Sequence, residues 1–244
     1  MPNYKPLRKA LIMAGGFGTR IKELTTDKPK PMILLQGRPI LEYGVELCKR
    51  YGLTDIAISI FYLGNVIKQH FGDGKKFGVK ICYVEESTPQ GTGGALKIHK
   101  QWLNETFMMC NADELKDINL EKMYAQHRKT GAKATIALTR VDDPSQYGVA
   151  ELDGLKIKRF IEKPKREEAP SNFINAGLYI LDPEVIDILP DGFSMVEKDL
   201  FPKLAAQGKL YGFRFDGQWF DTGTVERLNN AEKNWKGFSE KPLK

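Results

Sequence analysis

From residue 9 to residue 16 the chain reads KALIMAGG, an apolar run that breaks off in two glycines. A run of this length closed by glycine suits a buried strand entering a tight turn. The pattern returns, since residues 55–61, 79–84 and 106–111 also read as strands, while residues 38–50, 65–71 and 120–129 read as helices between and after them. Such alternation predicts an α/β fold with a largely parallel sheet flanked by helices.

Beyond residue 131 the rhythm changes. Residues 132–140, 149–152, 155–161 and 173–181 read as strands, with Asp153-Gly154 marking a hairpin between two of them. Helices are expected again at 183–189 and 195–207, then a strand at 210–215 and a last helix from Thr224 to about Trp235. No proline-rich or low-complexity linker divides the halves. The expectation is one Rossmann-like mixed domain over residues 1–244, with a first half to about 130, a subdomain at about 131–224, and a closing helix and tail at 225–244.

Charge and cysteine usage narrow the class of protein. No apolar run approaches the ~18 residues of a membrane span, so the chain is read as cytoplasmic. Cys48, Cys82 and Cys110 each sit in an apolar segment without a Cys-x-x-Cys pair, which reads as buried reduced thiols. The 37 Lys and Arg against 31 Asp and Glu leave a net charge of +6, but the lysines are spread along the chain, so no nucleic-acid partner is needed to explain them. His70, His99 and His127 lie in polar helical contexts and read as surface residues.

Gly15-Gly16-Phe17-Gly18-Thr19-Arg20 follows the first strand, where open α/β sheets place their ligands. Glycines there let backbone N–H groups approach phosphate oxygens, and an arginine adds a cationic fork. The Gly-Lys-Ser/Thr ending of a Walker loop is missing, and so is the third glycine of the dinucleotide fingerprint. Lys28-Pro29-Lys30-Pro31-Met32 follows, its prolines holding the segment extended so that Lys30 is presented from a rigid loop or, alternatively, forms an exposed basic turn.

Together GGFGTR and KPKPM resemble the signature of the sugar nucleotidyltransferases, also called nucleotide-diphosphate-sugar pyrophosphorylases, and further elements of that family follow in order along nearly the whole chain. The resemblance makes the first half nucleotide-binding and the second half sugar-binding. Gly15, Gly16, Gly18 and Thr19 would contact phosphates through their backbone, Arg20 and Lys30 would supply positive charge, and Leu11 and Ala14 would lie near base and ribose. The implied chemistry is in-line attack by a sugar 1-phosphate oxygen on the α-phosphorus of a nucleoside triphosphate, with release of pyrophosphate. Such a reaction rests on positioning and charge neutralisation and needs no protein nucleophile.

The family's metal positions match Asp113 in Asn111-Ala112-Asp113, where alanine replaces the usual glycine, and Asp221 in WFDTGT. Both would hold Mg²⁺; in isolation Asp113 reads as a strand-end turn residue and Asp221 as a helix cap. On the sugar side, Glu162-Lys163-Pro164 resembles the family element in which lysine meets the sugar phosphate and glutamate the hydroxyls. Asn175 in Asn-Ala-Gly and Gly148 after Tyr147 match two further sugar contacts.

Residues 85–96, EESTPQGTGGAL, correspond to the family's base-facing segment, which brings Gly91, Thr92 and Gly93 to the nucleotide. Some uridylyl and thymidylyl members carry glutamine where Glu86 stands; a carboxylate only accepts, which suits the adjacent N–H donors of guanine, although the alignment could shift onto Glu85. The GTGG spelling and the closing residues 199–224 look most like mannose-1-phosphate guanylyltransferases and their heptose-phosphate relatives, which implies GTP and mannose 1-phosphate. Uridylyl, cytidylyl and thymidylyl transfer are the alternatives within the class. A metal-dependent glycosyltransferase would cluster its carboxylates as Asp-x-Asp, a pattern missing here. A regulatory paralogue that binds sugar nucleotide without turnover need not keep Arg20, Lys30, Asp113, Lys163 and Asp221 together. The oligomeric state stays open, a homo-oligomer included, with Trp219-Phe220 either packed internally or facing a partner. With only twenty residues after Thr224, no room is expected for the carboxy-terminal β-helix of longer family members.

Overall fold

Strand and helix alternate from the first described residues of the computed structural model, which describes residues 5–16 and 18–239, with only the backbone of Thr19, Arg20 and Lys22. In chain order come β1 (Lys9–Met13), β2 (Leu34–Leu35), β3 (Arg38–Pro39), α1 (Ile40–Arg50), β4 (Asp55–Ile60), α2 (Gly64–Phe71), β5 (Lys80–Glu85), α3 (Gly91–Ile98), β6 (Phe107–Asn111) and β7 (Glu114–Lys116). They are followed by α4 (Leu120–Thr130), β8 (Ala134–Arg140), β9 (Gly148–Asp153), β10 (Lys156–Glu162), β11 (Phe173–Leu181), α5 (Phe201–Ala206), β12 (Leu210–Arg214), β13 (Trp219–Asp221) and α6 (Val225–Asn234). This is the α/β fold that the alternation predicts.

Two compact units share the chain. The first comprises Arg8–Pro89, Met109–Ile118 and Gly217–Lys244; the second comprises Met1–Leu7, Gln90–Met108 and Asn119–Asp216.

In the first unit β1 pairs with β4 and β4 with β5, all parallel, in a register that sets Leu11 beside Ala57 and Met13 beside Ser59. Ala10, Leu11, Ile12, Ile56, Ala57 and Ile58 are buried, as expected of parallel strands covered on both faces. Helix α1 turns a stripe of Ile40, Leu41, Tyr43, Val45, Leu47 and Cys48 inward, while Glu42 in its first turn and Lys49 and Arg50 in its last suit the helix dipole. A second cluster joins Ile33, Leu35, Ile40, Tyr43, Leu115, Leu228, Ala231 and Trp235, with Phe220 packed against it. Each fully buried large side chain in such a cluster contributes roughly 2 kcal/mol.

That cluster aims the short antiparallel ribbon of β7 and β13, which pairs Glu114 with Asp221, Leu115 with Phe220, and Lys116 with Trp219. Strand side chains alternate, so Leu115 and Phe220 enter the core while Glu114, Lys116, Trp219 and Asp221 share the opposite face. Phe220 is partly buried against that cluster, edge-on to Trp235 at 6.2 Å. These two strands have three residues each, too few for a period-2 signal to stand out in the sequence.

In the second unit β8 runs parallel to β12 and antiparallel to β11, and β10 pairs antiparallel with β12 and β9. Because β9 also meets β11 through Val149 and Ile174, the five strands close a ring of pairings. Phe201 of α5 packs on Phe160 and Tyr179 with ring centroids 5.3 and 5.2 Å away. Residues 195–207 are not one helix. A π-helical turn, Val196–Leu200, precedes α5, where Pro202 lacks the N–H that a continuous α-helical ladder would use. Residues 183–188 form a 3-10 turn.

Two readings are corrected. His99 and His127 are buried, because each faces inward from its helix segment; His127 Nδ1 lies 2.9 Å from Thr135 Oγ1 and its Nε2 3.4 Å from Asp182 Oδ1. His70 is half-buried, 2.6 Å from Glu42 Oε1. Cys82 is exposed, on the outward face of the edge strand β5, whereas Cys48 and Cys110 are buried. Among the described residues no helix is long and apolar enough to cross a membrane.

Candidate active site

The site in the first unit begins where β1 ends. Ala14 N–H donates to the Ser59 carbonyl at 2.9 Å, tying the glycine turn to β4, while the side chains of Leu11 and Ala14 are buried in the core. Gly15 and Gly16 leave the strand, and Ile21 N–H donates to the Gly18 carbonyl at 3.0 Å, opening the 3-10 turn Thr19–Leu24. Phe17 and the side chains of Thr19 and Arg20 lie outside the described residues.

Lys30 opens a 3-10 turn, Lys30–Met32, after an extended Pro29. It is buried, so the alternative of an exposed basic turn does not hold. Its Nζ lies 2.5 Å from Asp113 Oδ2. Asp113 is set by backbone on both sides, since Ala112 N–H donates to the Met13 carbonyl at 3.1 Å, and Thr222 donates to the Asp113 carbonyl through N–H at 3.2 Å and Oγ1 at 2.7 Å.

The ribbon places Asp221 beside that position. Its Oδ1 accepts from Gly223 N–H at 2.5 Å and its Oδ2 from Arg227 Nη1 at 2.5 Å. Asp221 is not the cap of α6: Thr224 is, through Oγ1 and Arg227 N–H at 3.2 Å.

A third carboxylate, Glu114, escaped the sequence reading. It accepts from Asn111 Nδ2 at 3.0 Å and Trp219 Nε1 at 3.2 Å, with Lys116 Nζ 3.4 Å away. Burial, with the charges of Asp113 and Asp221, pushes its carboxyl up against the opposing pull of Lys116 and Asn111. Burial also raises Asp113, but Lys30, helped by Lys116, outweighs it and holds that carboxyl below its usual value.

Asp113, just before β7, and Asp221, at the end of β13, thus offer hard oxygen donors, a type that fits Mg²⁺, which takes one or two carboxylates and completes its shell with water and phosphate. No group of three or more His, Cys, Asp or Glu among the described residues is placed to hold a metal by itself.

Glu86 belongs to the same unit. Buried Ser59 donates to its Oε1 at 2.7 Å, and a Cβ built on Gly15 would meet the same oxygen at 3.3 Å. Ser59 is a functional candidate that the sequence reading missed; its signal was a lone hydroxyl inside an apolar strand.

The remaining candidates lie in the second unit. Gly91, in the left-handed region at φ +69°, and Gly93 press against residues 193–194: a Cβ at either would fall 2.4 Å from the Ser194 carbonyl oxygen or 2.5 Å from Ser194 Oγ. Thr92 Oγ1 accepts from Val196 N–H at 3.0 Å and donates to Glu197 Oε2 at 2.9 Å. Glu197 is buried, and burial pushes its carboxyl up against the backbone and Thr92 hydrogen bonds.

At the end of β10, Lys163 takes a left-handed φ of +49°, unusual for a residue with a side chain, while its N–H donates to the Tyr147 carbonyl at 3.0 Å. Its Nζ is 3.6 Å from Glu162 Oε1. Gly148 lies beneath this element: a Cβ there would meet Phe160 Cζ at 2.3 Å and Glu162 Oε2 at 2.9 Å. Asn175, at an irregularity in β11, accepts from Gly177 N–H and donates to Tyr179 Oη, both at 2.9 Å.

Comparison with known proteins gives this geometry a context. The family model for nucleotidyl transferase matches residues 9–236. Mannose-1-phosphate guanyltransferase of Eremothecium gossypii is 40% identical over 240 residues, covering 92% of this chain and 66% of that protein. The catalytic subunit beta of mannose-1-phosphate guanylyltransferase from Dictyostelium discoideum is 36% identical over 221 residues, covering 88% of this chain and 61% of that protein. The chain therefore spans slightly less than two thirds of the length of such relatives. Among solved structures, a putative glucose-1-phosphate thymidylyltransferase from Bacillus anthracis in complex with a sucrose superposes with a TM-score of 0.86 at 25% identity, covering 96% of this chain and 98% of that one. HddC from Yersinia pseudotuberculosis superposes with a TM-score of 0.80 at 27% identity, covering 94% and 100%.

Proposed function

Because this chain belongs to the nucleotidyl transferase family, we propose that it transfers a nucleoside monophosphate from a nucleoside triphosphate to a sugar 1-phosphate, in the cytoplasm, and that GTP and mannose 1-phosphate are its substrates. The observation that carries the reading is the arrangement of Lys30, Asp113 and Asp221 in the unit that also holds the glycine turn. Lys30 on Asp113, with Asp221 carried by the strand that pairs alongside, suits a triphosphate and its metal.

One phosphate oxygen of the sugar 1-phosphate attacks the α-phosphorus, and the bond from that phosphorus to the bridging oxygen of the β-phosphate breaks. Pyrophosphate leaves and the new sugar–phosphate–phosphate–nucleoside linkage remains. The attacking oxygen is already ionised, so no residue has to remove a proton. Backbone N–H groups at Gly15, Gly16 and Gly18 hold phosphate oxygens, and Arg20 and Lys30 neutralise them. Asp113 and Asp221 would hold Mg²⁺, which would supply positive charge to the triphosphate. Lys163 meets the sugar phosphate, while Glu162, Asn175 and the Gly148 backbone meet hydroxyls. Glu86 accepts from the base, with Ser59 holding its Oε1.

The base is where a second reading has support, because some relatives by structure are named for thymidylyl or UDP-glucose chemistry. Glu86 favours guanine over thymine or uracil, whose edges present only one N–H beside their carbonyls. Pyrophosphate release across a matrix of nucleoside triphosphates and sugar 1-phosphates, with and without Mg²⁺, tests the whole assignment. The expected result is strongest release with GTP and mannose 1-phosphate; silence throughout the matrix sinks it. Unchanged discrimination between GTP and UTP in Glu86→Gln removes Glu86 as the base reader.

A further inference from the structure

Among the described residues, three ion pairs lie at and next to the ribbon: Lys30 on Asp113, Lys116 on Glu114 and Arg227 on Asp221. A divalent cation that joins Asp113 and Asp221 competes for their oxygens with the cations already paired to them. The three differ in freedom. The side chain of Lys116 is 2% exposed and that of Lys30 8%, whereas that of Arg227 is 30% exposed and has a route to solvent.

Arg227 also holds the oxygen in question. Its Nη1 lies 2.5 Å from Asp221 Oδ2, and an oxygen that accepts a charge-assisted hydrogen bond offers less charge to a hard cation. Asp221 does not need Arg227 for its orientation, because Gly223 N–H holds Oδ1 and the β13–β7 pairing holds the backbone. Helix α6 does not need the ion pair either, since Leu228, Ala231 and Trp235 anchor it in the core.

We propose that Arg227 is an internal counter-ion that competes with the divalent metal for Asp221 and thereby sets the metal concentration at which the site fills, an inference that rests on the metal role proposed for Asp221.

The test is a Mn²⁺ titration of the full chain without nucleotide, followed by the electron paramagnetic resonance signal of free Mn²⁺. Arg227→Gln is expected to bind Mn²⁺ roughly tenfold more tightly than wild type, as loss of a charge-assisted competitor requires. Arg227→Met, which keeps the apolar stem, is expected to move the same way and carries the test if the glutamine variant does not fold. Unchanged or weaker binding in the folded variants overturns the proposal, since a residue that merely orients Asp221 would lower affinity when removed. Asp221→Asn separates the two failures: it should weaken Mn²⁺ binding, and if it does not, Asp221 is no metal ligand and the underlying reading falls instead.

Discussion

The acidic ribbon of the first unit and the Gly91–Glu197 joint of the second each bury a carboxylate, and they accommodate it in opposite ways. Glu114 sits among an amide, an indole N–H and the Lys116 ammonium, beside two further carboxylates with cations of their own. Glu197 has the Thr92 hydroxyl, and burial pushes its carboxyl up. His99, in the same unit, is likewise buried, with no hydrogen-bond partner for Nε2 among the described residues. The ribbon therefore presents paired charges, whereas the second unit shows close backbone approach at Gly91 and Gly148 and the left-handed Lys163. Matched charge suits a polyanion and its metal; shape suits a neutral ring of hydroxyls.

The largest expected effect falls on the charged side. Asp113→Asn should leave the fold intact by circular dichroism, because the backbone bonds at Thr222 remain, while kcat falls by roughly 10³ as a preorganised electrostatic contact is lost. Turnover near that of wild type would break the claim that ribbon charge carries the chemistry.

Acid should separate the neutral side from the charged one. Burial holds His99 down to about 4, against 6.5 for an ordinary histidine, so it favours the neutral form. The stability this represents, about 3 kcal/mol, is complete above pH 6.5 and is lost as pH falls through the interval to about 4. Denaturant melts from pH 7.5 to 4 should show a smaller decline in His99→Leu than in wild type; parallel curves would show that this histidine is not the source. Asp182 is also held low but by the opposite cause: although burial raises it, hydrogen bonds from His127 and Thr106 bring it to about 2, so its contribution is lost only as pH falls from 3.8 towards 2.

Gly148→Ala tests the role of shape. The new methyl group collides with Phe160 and Glu162, and a cost of about 2 kcal/mol in stability is expected together with a raised KM for the sugar 1-phosphate. An unaltered melting temperature would mean that the element yields, and that close approach is not its design. The smallest effect belongs to Lys163→Gly. Release of the left-handed strain, less the added freedom of the unfolded chain, should stabilise by roughly 0.5 kcal/mol while KM for the sugar phosphate rises. A variant that is both less stable and unaltered in KM would contradict both halves of the comparison.

How far the sequence could be read differs from place to place. Strand β11 spans the residues its apolar pattern predicts, 173–181, because nine residues of sustained β-propensity leave little ambiguity. The three-residue strands β7 and β13 were invisible, and with them the reason that the backbones around Asp113 and Asp221, more than a hundred residues apart, run side by side. Glu114 follows Asp113 directly, and the alternation of Glu114 and Lys116 around Leu115 is a signal that pairing with WFD could have revealed. Arg227 had no such signal, since its distance from Asp221 in sequence says nothing about where the chain turns between them. His99 and His127 were misjudged because polar neighbours on a helix segment do not tell which face turns inward.

The sequence by itself determined the alternation of strand and helix, the glycine turn after β1, and the order of motifs that identifies the family, because each depends on residues near one another in the chain. Tertiary structure alone decided which charges face which. Electrostatic energy depends on distance and burial, so the partners of Asp113, Glu114 and Asp221 exist only once two short strands have paired and the cluster around Tyr43 and Trp235 has fixed where they lie.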